Sequence, residues 1–241
     1  MNKFCTTLLI AFFVSGCAHQ KIVEVKNIDS TDRAKIKKIA LLRINAPQQV
    51  TIRNQTVATS AAVSGVIGYL IEGTANEDYT KQYVSELNKQ KVTFVPELAA
   101  AIQKELKNNG YQVEYLENQF ARLKEDKTVD YSGINTDADA ILNVFYGRVG
   151  YASPIGQKYS PWVNIAAVMI DPKTQNRMFS TNMVVHPNAD KQPKGNVIYL
   201  MPKSVDQFSS FEEIMSSFKV STDAIIEEEE KIAVLIAQQL K

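Results

Sequence analysis

Hydrophobic and polar positions alternate along the chain in the order expected of an α/β domain. Short apolar runs bounded by charged or turn-forming residues predict buried strands, and longer segments with apolar residues every three or four positions predict helices. The predicted strands are residues 36–44, 111–116, 139–151, 162–171 and 177–186, with a short edge strand at 197–201. The predicted helices are residues 76–89, 96–109, 205–218 and a last helix from a Ser221 or Thr222 cap to Leu240.

The clearest local unit is the helix 96–109 with the strand that follows it. Leu98, Ile102 and Leu106 fall four positions apart, which places them on one helix face. Gly110 supplies the residue that ends a helix in the left-handed conformation. Residues 111–116 then alternate with period two, which is typical of a strand with one exposed face.

The second half of the body predicts antiparallel strand pairing. Residues 172–176 form a short polar loop between two apolar runs, as in a β-hairpin. Residues 47–56 and most of 186–203 are predicted to be loops because they are polar or rich in proline. The predicted fold class is therefore α/β (α+β), a mixed and largely antiparallel sheet with helices packed on it in a single domain.

Four consecutive glutamates, residues 227–230, lie in the first half of the last helix. Successive helical residues are about 100° apart, so four of them surround the axis. This turn is therefore not expected to be buried on every side.

The first sixteen residues have the organisation of a secretory signal. Lys3 gives a short basic start, and residues 8–14 form an apolar run of the length typical of a signal peptide. A membrane-spanning helix needs about 20 apolar residues, and this run ends at Ser15. The alternatives are an ordinary signal peptide and a buried helix followed by a chance cysteine.

The end of this segment, Val14-Ser15-Gly16-Cys17, resembles the bacterial lipobox. The resemblance implies cleavage before Cys17, with a diacylglycerol on the Cys17 sulfur and an acyl chain, such as palmitate, on its new amino group. In enterobacterial lipoproteins, aspartate after the cysteine marks retention in the inner membrane. Ala18 therefore implies the outer membrane, with the protein facing the periplasm.

Three regions follow from this pattern. Residues 1–16 are predicted to be the signal peptide, 17–34 a lipidated flexible tether, and 35–241 a single α/β periplasmic domain. Cys5 is removed with the signal, so Cys17 would be the only cysteine of the mature chain. No intramolecular disulfide can then form, although the compartment would permit one.

Composition and net charge exclude some classes of protein and of partner. The chain is 45% hydrophobic and 22% charged, which indicates a globular domain and excludes disorder. Of its 27 Lys and Arg residues only Lys3 precedes Cys17, which leaves 26 to balance 26 Asp and Glu. A neutral body argues against nucleic acid as a partner, because that affinity depends on excess basic residues.

Motifs for catalysis or metal binding are absent from the sequence. No phosphate-binding loop, nucleophile elbow, HExxH or CxxC pattern occurs, and the two histidines, His19 and His186, are far apart. Asp137 and Asp139 could face the same way on an extended chain, but aspartates at a turn before a strand are the preferred interpretation. We therefore expect no enzymatic activity, no metal and no cofactor other than the covalent lipid on Cys17.

Two segments are candidate interaction surfaces. Residues 57–71 carry no charge and contain Ala61, Gly65 and Gly68 at helical spacing, which allows close approach of a second helix. The favoured interpretation is a helix packed on its own sheet, and the alternative is contact with the membrane or another copy. The second segment, residues 151–162, carries aromatic residues that could either anchor an interface or close the end of a hairpin. Its candidate residues are Tyr151, Tyr159 and Trp162.

The order of elements resembles a group of bacterial envelope lipoproteins. The charged-flanked first strand, the helix–glycine–strand unit, the strand led by aspartate and the hairpin around residues 171–177 are similar to the amino-terminal domain of the translocation protein TolB and the core of the curli-secretion lipoprotein. The sequence departs from the curli type because it lacks obvious membrane-spanning strand pairs.

The expected function is that of a lipid-anchored, non-catalytic assembly or protein-interaction module of the envelope. Its partners would be the membrane, through the anchor, and another envelope protein. The alternative is an oligomeric, pore-associated secretion lipoprotein, in which residues 57–71 would be the suspected self-interface. A hydrolase is the weakest alternative, because it requires a clustered nucleophile and base.

Overall fold

The computed structural model of the chain describes residues 24–55, 66–124, 128–192 and 195–241, with side chains given except at 66–74 and 123. Within these ranges ten strands and five helices follow one another, together with single-turn 3-10 helices at Ala189–Lys191 and Ser204–Asp206. The helices are α1 (Ser30–Arg33), α2 (Val66–Gln90), α3 (Val95–Asn108), α4 (Phe211–Ser216) and α5 (Phe218–Leu240). The strands are β1 (Lys38–Leu42), β2 (Gln49–Asn54), β3 (Gln112–Leu116), β4 (Arg122–Leu123), β5 (Val129–Asp130), β6 (Ala140–Ser153), β7 (Ser160–Pro161), β8 (Val163–Ile170), β9 (Arg177–Val185) and β10 (Ile198–Leu200).

Eight of these strands form one mixed sheet in the order β10-β9-β8-β6-β1-β3, with β2 and β7 also paired to β6. The long pairings β6–β8 and β8–β9 are antiparallel, whereas β1 pairs in parallel with both β3 and β6. The 14-residue strand β6 joins the two parts, because its first half pairs with β1 and its second half with β2. The predicted fold class is confirmed.

The two faces of the sheet are covered differently. Helices α2 to α5 pack on one face, which we call the helical face, over the main hydrophobic core. On the opposite face, which we call the outer face, a smaller apolar cluster forms beneath the segment between β3 and β6. Strand geometry sends alternate side chains to the two faces, so each strand contributes to both.

The helix–glycine–strand unit forms as predicted. Leu98, Ile102 and Leu106 are completely buried on α3, and Gly110 has the expected positive φ of 91°. The β8–β9 hairpin also forms, with the Asp171 carboxylate accepting hydrogen bonds from the turn amides of residues 173 and 174. Helix α2 extends well before the predicted start at residue 76.

The prediction of a loop over residues 47–56 is wrong, because β2 occupies Gln49–Asn54. β2 contains one fully buried apolar residue, Ile52, so no apolar run marks it. Its pairing with β6 supplies hydrogen bonds along one edge. Along the other edge, Thr80 Oγ1 accepts from the Ile52 amide at 3.0 Å and Asn76 Oδ1 accepts from the Asn54 amide at 2.8 Å.

The predicted helix over residues 205–218 is also wrong in extent. Only Phe211–Ser216 is α-helical, and Ser210 caps it by accepting the Glu213 amide. The last helix starts at Phe218, before the predicted caps. Ser221 and Thr222 lie inside it and donate their hydroxyls back to the Phe218 carbonyl, at 2.8 and 3.1 Å.

The end of the predicted tether belongs to the folded domain. Lys26 forms an antiparallel bridge with Ser180 of β9, Ile28 is buried in the main core, and α1 begins after Asp29, which caps it. Arg33 donates to the carbonyl of the last residue, Lys241, at 2.7 Å. Short polar segments with few apolar residues carry little periodicity, so these contacts could not be predicted. Residues 17–23 lie outside the described ranges.

Candidate functional site

A groove opens on the helical face where β1 and β3 end. We call it the α2–α3 groove; its volume is about 760 Å³, within the range of protein ligand sites. It lies between the end of α2, the start of α3 and the segment that leaves β1. Its apolar walls include Val50, Val84, Leu87, Phe94, Val95 and Tyr115.

Local sequence explains why the two helices separate here. Lys91 has a positive φ of 55°, and the Val92 amide donates to the Leu87 carbonyl at 2.9 Å, which ends α2. Pro96 lies in the first turn of α3, where its missing N–H costs nothing. The short connection therefore turns the chain sharply, and Phe94 is buried at the turn.

The groove rim is polar and close to neutral. Arg43 and Glu117 bring opposite charges, and the side-chain amides of Asn88, Gln103 and Asn118 provide both donors and acceptors. The walls are aliphatic or aromatic, so the groove offers apolar burial with hydrogen bonding at the edge. This is the chemistry that binds an extended or helical apolar segment.

A group of buried polar side chains, which we call the polar layer, lies within the main core near the groove. The Tyr146 hydroxyl donates to the Phe94 carbonyl at 3.3 Å, and the Tyr151 hydroxyl donates to the Ser221 carbonyl at 2.6 Å. Burial raises the pKa of Tyr83, Tyr146 and Tyr151 well above the ordinary tyrosine value. The Tyr146 and Tyr151 hydroxyls are thus buried hydrogen-bond donors, whereas the Tyr83 hydroxyl has no hydrogen-bond partner among the described residues.

Glu229 on α5 is completely buried in this layer. Its carboxyl oxygens make no hydrogen bond with the described part of the chain. Burial raises the pKa of Glu229 well above its ordinary value, the nearby Tyr146 hydroxyl partly offsets that shift, and Glu97 adds to it. The side chain is therefore held in its neutral form, which avoids the large cost of a buried isolated charge.

The other glutamates of this turn behave differently. Glu228 is buried but paired: it accepts the Lys203 amide at 2.9 Å and contacts the Lys231 ammonium at 3.1 Å. Glu227 and Glu230 are exposed. The turn is thus open to solvent on one side, as its four consecutive acidic residues indicated.

Two of the three candidate interface aromatics are buried within the domain. Tyr151 is fully buried and Tyr159 is 2% exposed, so neither side chain is available to a partner. Tyr151 packs edge-on against Phe208 with ring centroids 5.5 Å apart, and burial raises the pKa of Tyr159 to about 12. The alternative interpretation, aromatics that close the end of a hairpin, describes these two residues.

Trp162 is half-buried at the edge of the sheet. The Arg148 guanidinium lies 4.1 Å from the centre of its ring, and the His186 ring meets it edge-on at 5.3 Å. His186 follows directly after β9, which ends at Val185, and its Nδ1 accepts the Asn188 amide at 3.1 Å. Sequence reasoning missed Arg148, because a lone arginine in an apolar strand shows no spacing pattern.

The remaining predicted residues are placed as follows. Cys17, Ala61 and Gly65 lie outside the described residues, and Gly68 lies in α2 without a described side chain. The Asp139 carboxylate accepts the amides of Lys37 and Lys38, both at 2.9 Å, and Asp137 pairs with the Lys38 ammonium. The two aspartates thus hold a turn and the first strand.

The described residues form neither a metal site nor a membrane-spanning helix. They contain no group of three or more histidine, cysteine, aspartate or glutamate side chains arranged to hold a metal ion. Among the helices described, none is long and apolar enough to cross a membrane.

The α2–α3 groove was also missed by sequence reasoning. Its residues come from four separate segments, around 43–50, 84–88, 92–103 and 115–118, so no single motif encodes it. The one local signal is the apolar pair Phe94-Val95 in the turn between two helices, where polar residues are usual.

Comparisons with known proteins give only distant likenesses. No protein-family model and no curated protein matches the chain. Among solved structures, it is similar to a neuraminyllactose-binding hemagglutinin homolog from Helicobacter pylori, with 13% identity over 85% of this chain and 86% of that one and a TM-score of 0.33. It is also similar to a lipoprotein from Neisseria meningitidis, with 11% identity, 62% and 81% coverage and a TM-score of 0.22. At these TM-scores neither likeness carries an argument about this chain.

Proposed function

We propose that the protein is a lipid-anchored lipoprotein of the outer membrane that faces the periplasm. In this proposal it acts without catalysis, by binding an apolar segment of another envelope protein in the α2–α3 groove. The signal segment and the lipobox-like residues before Cys17 support the anchor. The groove carries the proposal for partner binding.

The form of the groove favours a protein segment. A volume of about 760 Å³ accommodates several side chains, and the apolar walls would bury them without an unpaired charge. The amides of Asn88, Gln103 and Asn118 stand at the rim, where they can bond the backbone of such a segment. Opposite charges at Arg43 and Glu117 leave no net field that would select an ionic ligand.

The test is site-specific photocrosslinking in living cells. A photoreactive amino acid replaces Ala100, an exposed residue that lines the groove, or Lys173, an exposed residue of the β8–β9 loop. After irradiation and extraction in mild detergent, the adducts are identified by mass spectrometry. We expect one foreign envelope protein attached at position 100 and none at position 173.

Two results would contradict this proposal. Adducts only between copies of the chain, in a defined high-mass species, would favour the oligomeric secretion lipoprotein instead. The same adducts from positions 100 and 173, or none from position 100, would show that the groove has no specific partner.

A further inference from the structure

A cluster of basic and aromatic side chains lies on the outer face, on the opposite side of the sheet from the groove. It consists of Arg53, Arg148, Trp162 and His186, and we call it the cationic patch. Arg148 stacks on Trp162 and donates to the Gln49 side-chain oxygen at 2.8 Å. The guanidinium is therefore held over the ring, at 4.1 Å from its centre, rather than free in solvent.

Strand alternation places the patch on this face. Ile52, Val149, Val163 and Val185 point into the main core of the helical face. Their neighbours along the strands therefore point the other way. Four different segments thus bring their side chains to one end of the outer face.

The charge of the patch is not neutralised within the described part of the chain. Neither arginine forms an ion pair with an acidic side chain there. Burial lowers the pKa of Arg148, and the charge of Arg53 lowers it further. Burial and the same two arginines also lower the pKa of His186, so this ring is neutral at pH 7. Two guanidinium groups without an acidic partner, beside an indole ring, form a surface that can bind an anion.

The chain enters the domain along the edge of the sheet beside β9, where Lys26 bridges Ser180. Ser180 of β9 points to the outer face, and its hydroxyl donates to the Glu24 carbonyl at 2.5 Å. His186 lies six residues further along the chain. Six strand residues span about 20 Å. Seven residue steps separate Cys17 from Glu24, and they span at most about 25 Å. A lipid on Cys17 would therefore keep the membrane surface within reach of the patch.

We propose that the cationic patch contacts the phosphates of anionic lipid headgroups in the membrane that holds Cys17. This inference rests on the proposed lipid anchor. Guanidinium groups bind phosphate oxygens through paired hydrogen bonds, and tryptophan favours the interface between headgroups and acyl chains. With the outer face on the membrane, the helical face and its groove point into the periplasm, where a partner can reach them.

The test uses the mature chain, residues 17–241, carrying Cys17→Ala so that no lipid is attached. Trp162 is the only tryptophan, so its fluorescence reports on the patch directly. The chain is titrated with vesicles of phosphatidylcholine alone or mixed with phosphatidylglycerol, and binding is also followed by co-sedimentation. Co-sedimentation is needed because removing Arg148 changes the surroundings of Trp162 itself.

We expect a blue shift of Trp162 emission and binding only with the anionic vesicles, weakened by salt. Arg53→Gln and Arg148→Gln should each weaken binding about five-fold, as expected for one basic side chain at an anionic surface. Lys104→Gln, an exposed change of the same charge on α3 at the helical face, should leave binding unchanged.

Three results would overturn the inference. They are no binding to the anionic vesicles, equal binding to both kinds of vesicle, and equal loss for Lys104→Gln and the arginine variants. Because the tested chain has no lipid, its failure to bind anionic vesicles would not contradict the proposed lipid anchor on Cys17. A chain that binds anionic vesicles but is not lipidated in cells would instead contradict the proposed anchor.

Discussion

Glu229 shows how one side chain can set the pH response of this fold. Its carboxyl is fully buried and lacks a hydrogen bond within the described residues, and burial raises its pKa well above the ordinary value. The folded state therefore retains a proton that the unfolded state releases above the ordinary pKa. The stability contribution is fully present below that pKa and is lost as the pH rises toward the folded value.

We predict that Glu229→Gln gains stability relative to the wild type as the pH rises from about 5 to 8. The gain should approach about 1.4 kcal/mol per pH unit over the range in which only the unfolded carboxyl ionises. Urea unfolding across this range measures it. Glu230→Gln, an exposed change of the same charge one position away, serves as the control. A difference between Glu229→Gln and wild type that stays constant with pH would show that Glu229 is not held neutral.

Gly150 fixes the approach of β2 to β6. Its φ is 145°, and a Cβ at this position would lie 2.0 Å from the Thr51 carbonyl oxygen. We predict that Gly150→Ala lowers the free energy of unfolding by at least about 2 kcal/mol, because the two backbones must separate. Gly133→Ala, which meets no atom within 4 Å, should stay within about 0.5 kcal/mol of wild type. Equal effects of the two variants in thermal unfolding would argue against the close approach.

Single residues also show what the sequence could and could not reveal. The burial of Leu98 and the positive φ of Gly110 were predicted correctly, because helix periodicity and helix termination are local properties of the sequence. The complete burial of Tyr151 and Glu229 was not predicted, because it depends on helix α5 packing across the sheet. A serine such as Ser221 is ambiguous for the same reason, since its hydroxyl can cap a helix or bond within one.

Among the elements, α2 covers the edge of β2 that faces away from β6. The side chains of Asn76 and Thr80 bond to backbone groups of Asn54 and Ile52 along this edge. Unpaired strand edges otherwise attract other chains. The same contacts hold α2, which carries Val84 and Leu87, against β2, which carries Val50. The wall of the α2–α3 groove therefore depends on this pairing.

We predict that Thr80→Val speeds amide hydrogen exchange at Ile52 about five-fold, because one hydrogen bond worth about 1 kcal/mol is lost while the side-chain shape is kept. The amides of Thr51 and Arg53 face β6 by strand alternation and should change less. Lys81→Gln, an exposed change on the same helix, is the control. Unchanged exchange at Ile52 would mean that α2 does not protect this edge.

Elements with a clear hydrophobic period were predicted, and those formed by polar chains were not. The strand β8 is a nearly continuous apolar run and β9 has apolar residues near both ends, so their hairpin across the short polar loop followed from the sequence. β2 and α1 are polar and short, and tertiary contacts alone define them. The α2–α3 groove and the cationic patch are each assembled from separate segments, and their assembly depends on the strand order, which no local pattern specifies.

At the scale of the whole molecule, the two faces of the sheet separate two roles. The proposed partner groove lies on the helical face, and the proposed headgroup contacts lie on the outer face, about 20 Å along β9 from the point where the chain enters the domain. The proposed attachment through Cys17 would hold both surfaces close to the membrane. An anchored chain samples only the envelope, which raises its effective concentration near membrane-bound partners.

The most direct test of this claim is the mass of the amino-terminal peptide from the protein isolated with the cell membranes. We expect the mature chain to begin at Cys17, with a diacylglyceryl group on sulfur and an acyl group on nitrogen. Cys17→Ala should abolish the lipid mass and strongly weaken sedimentation with outer membranes, because only the salt-sensitive contacts of the cationic patch would remain. A wild-type chain that begins elsewhere, or begins at Cys17 without lipid, would contradict the account.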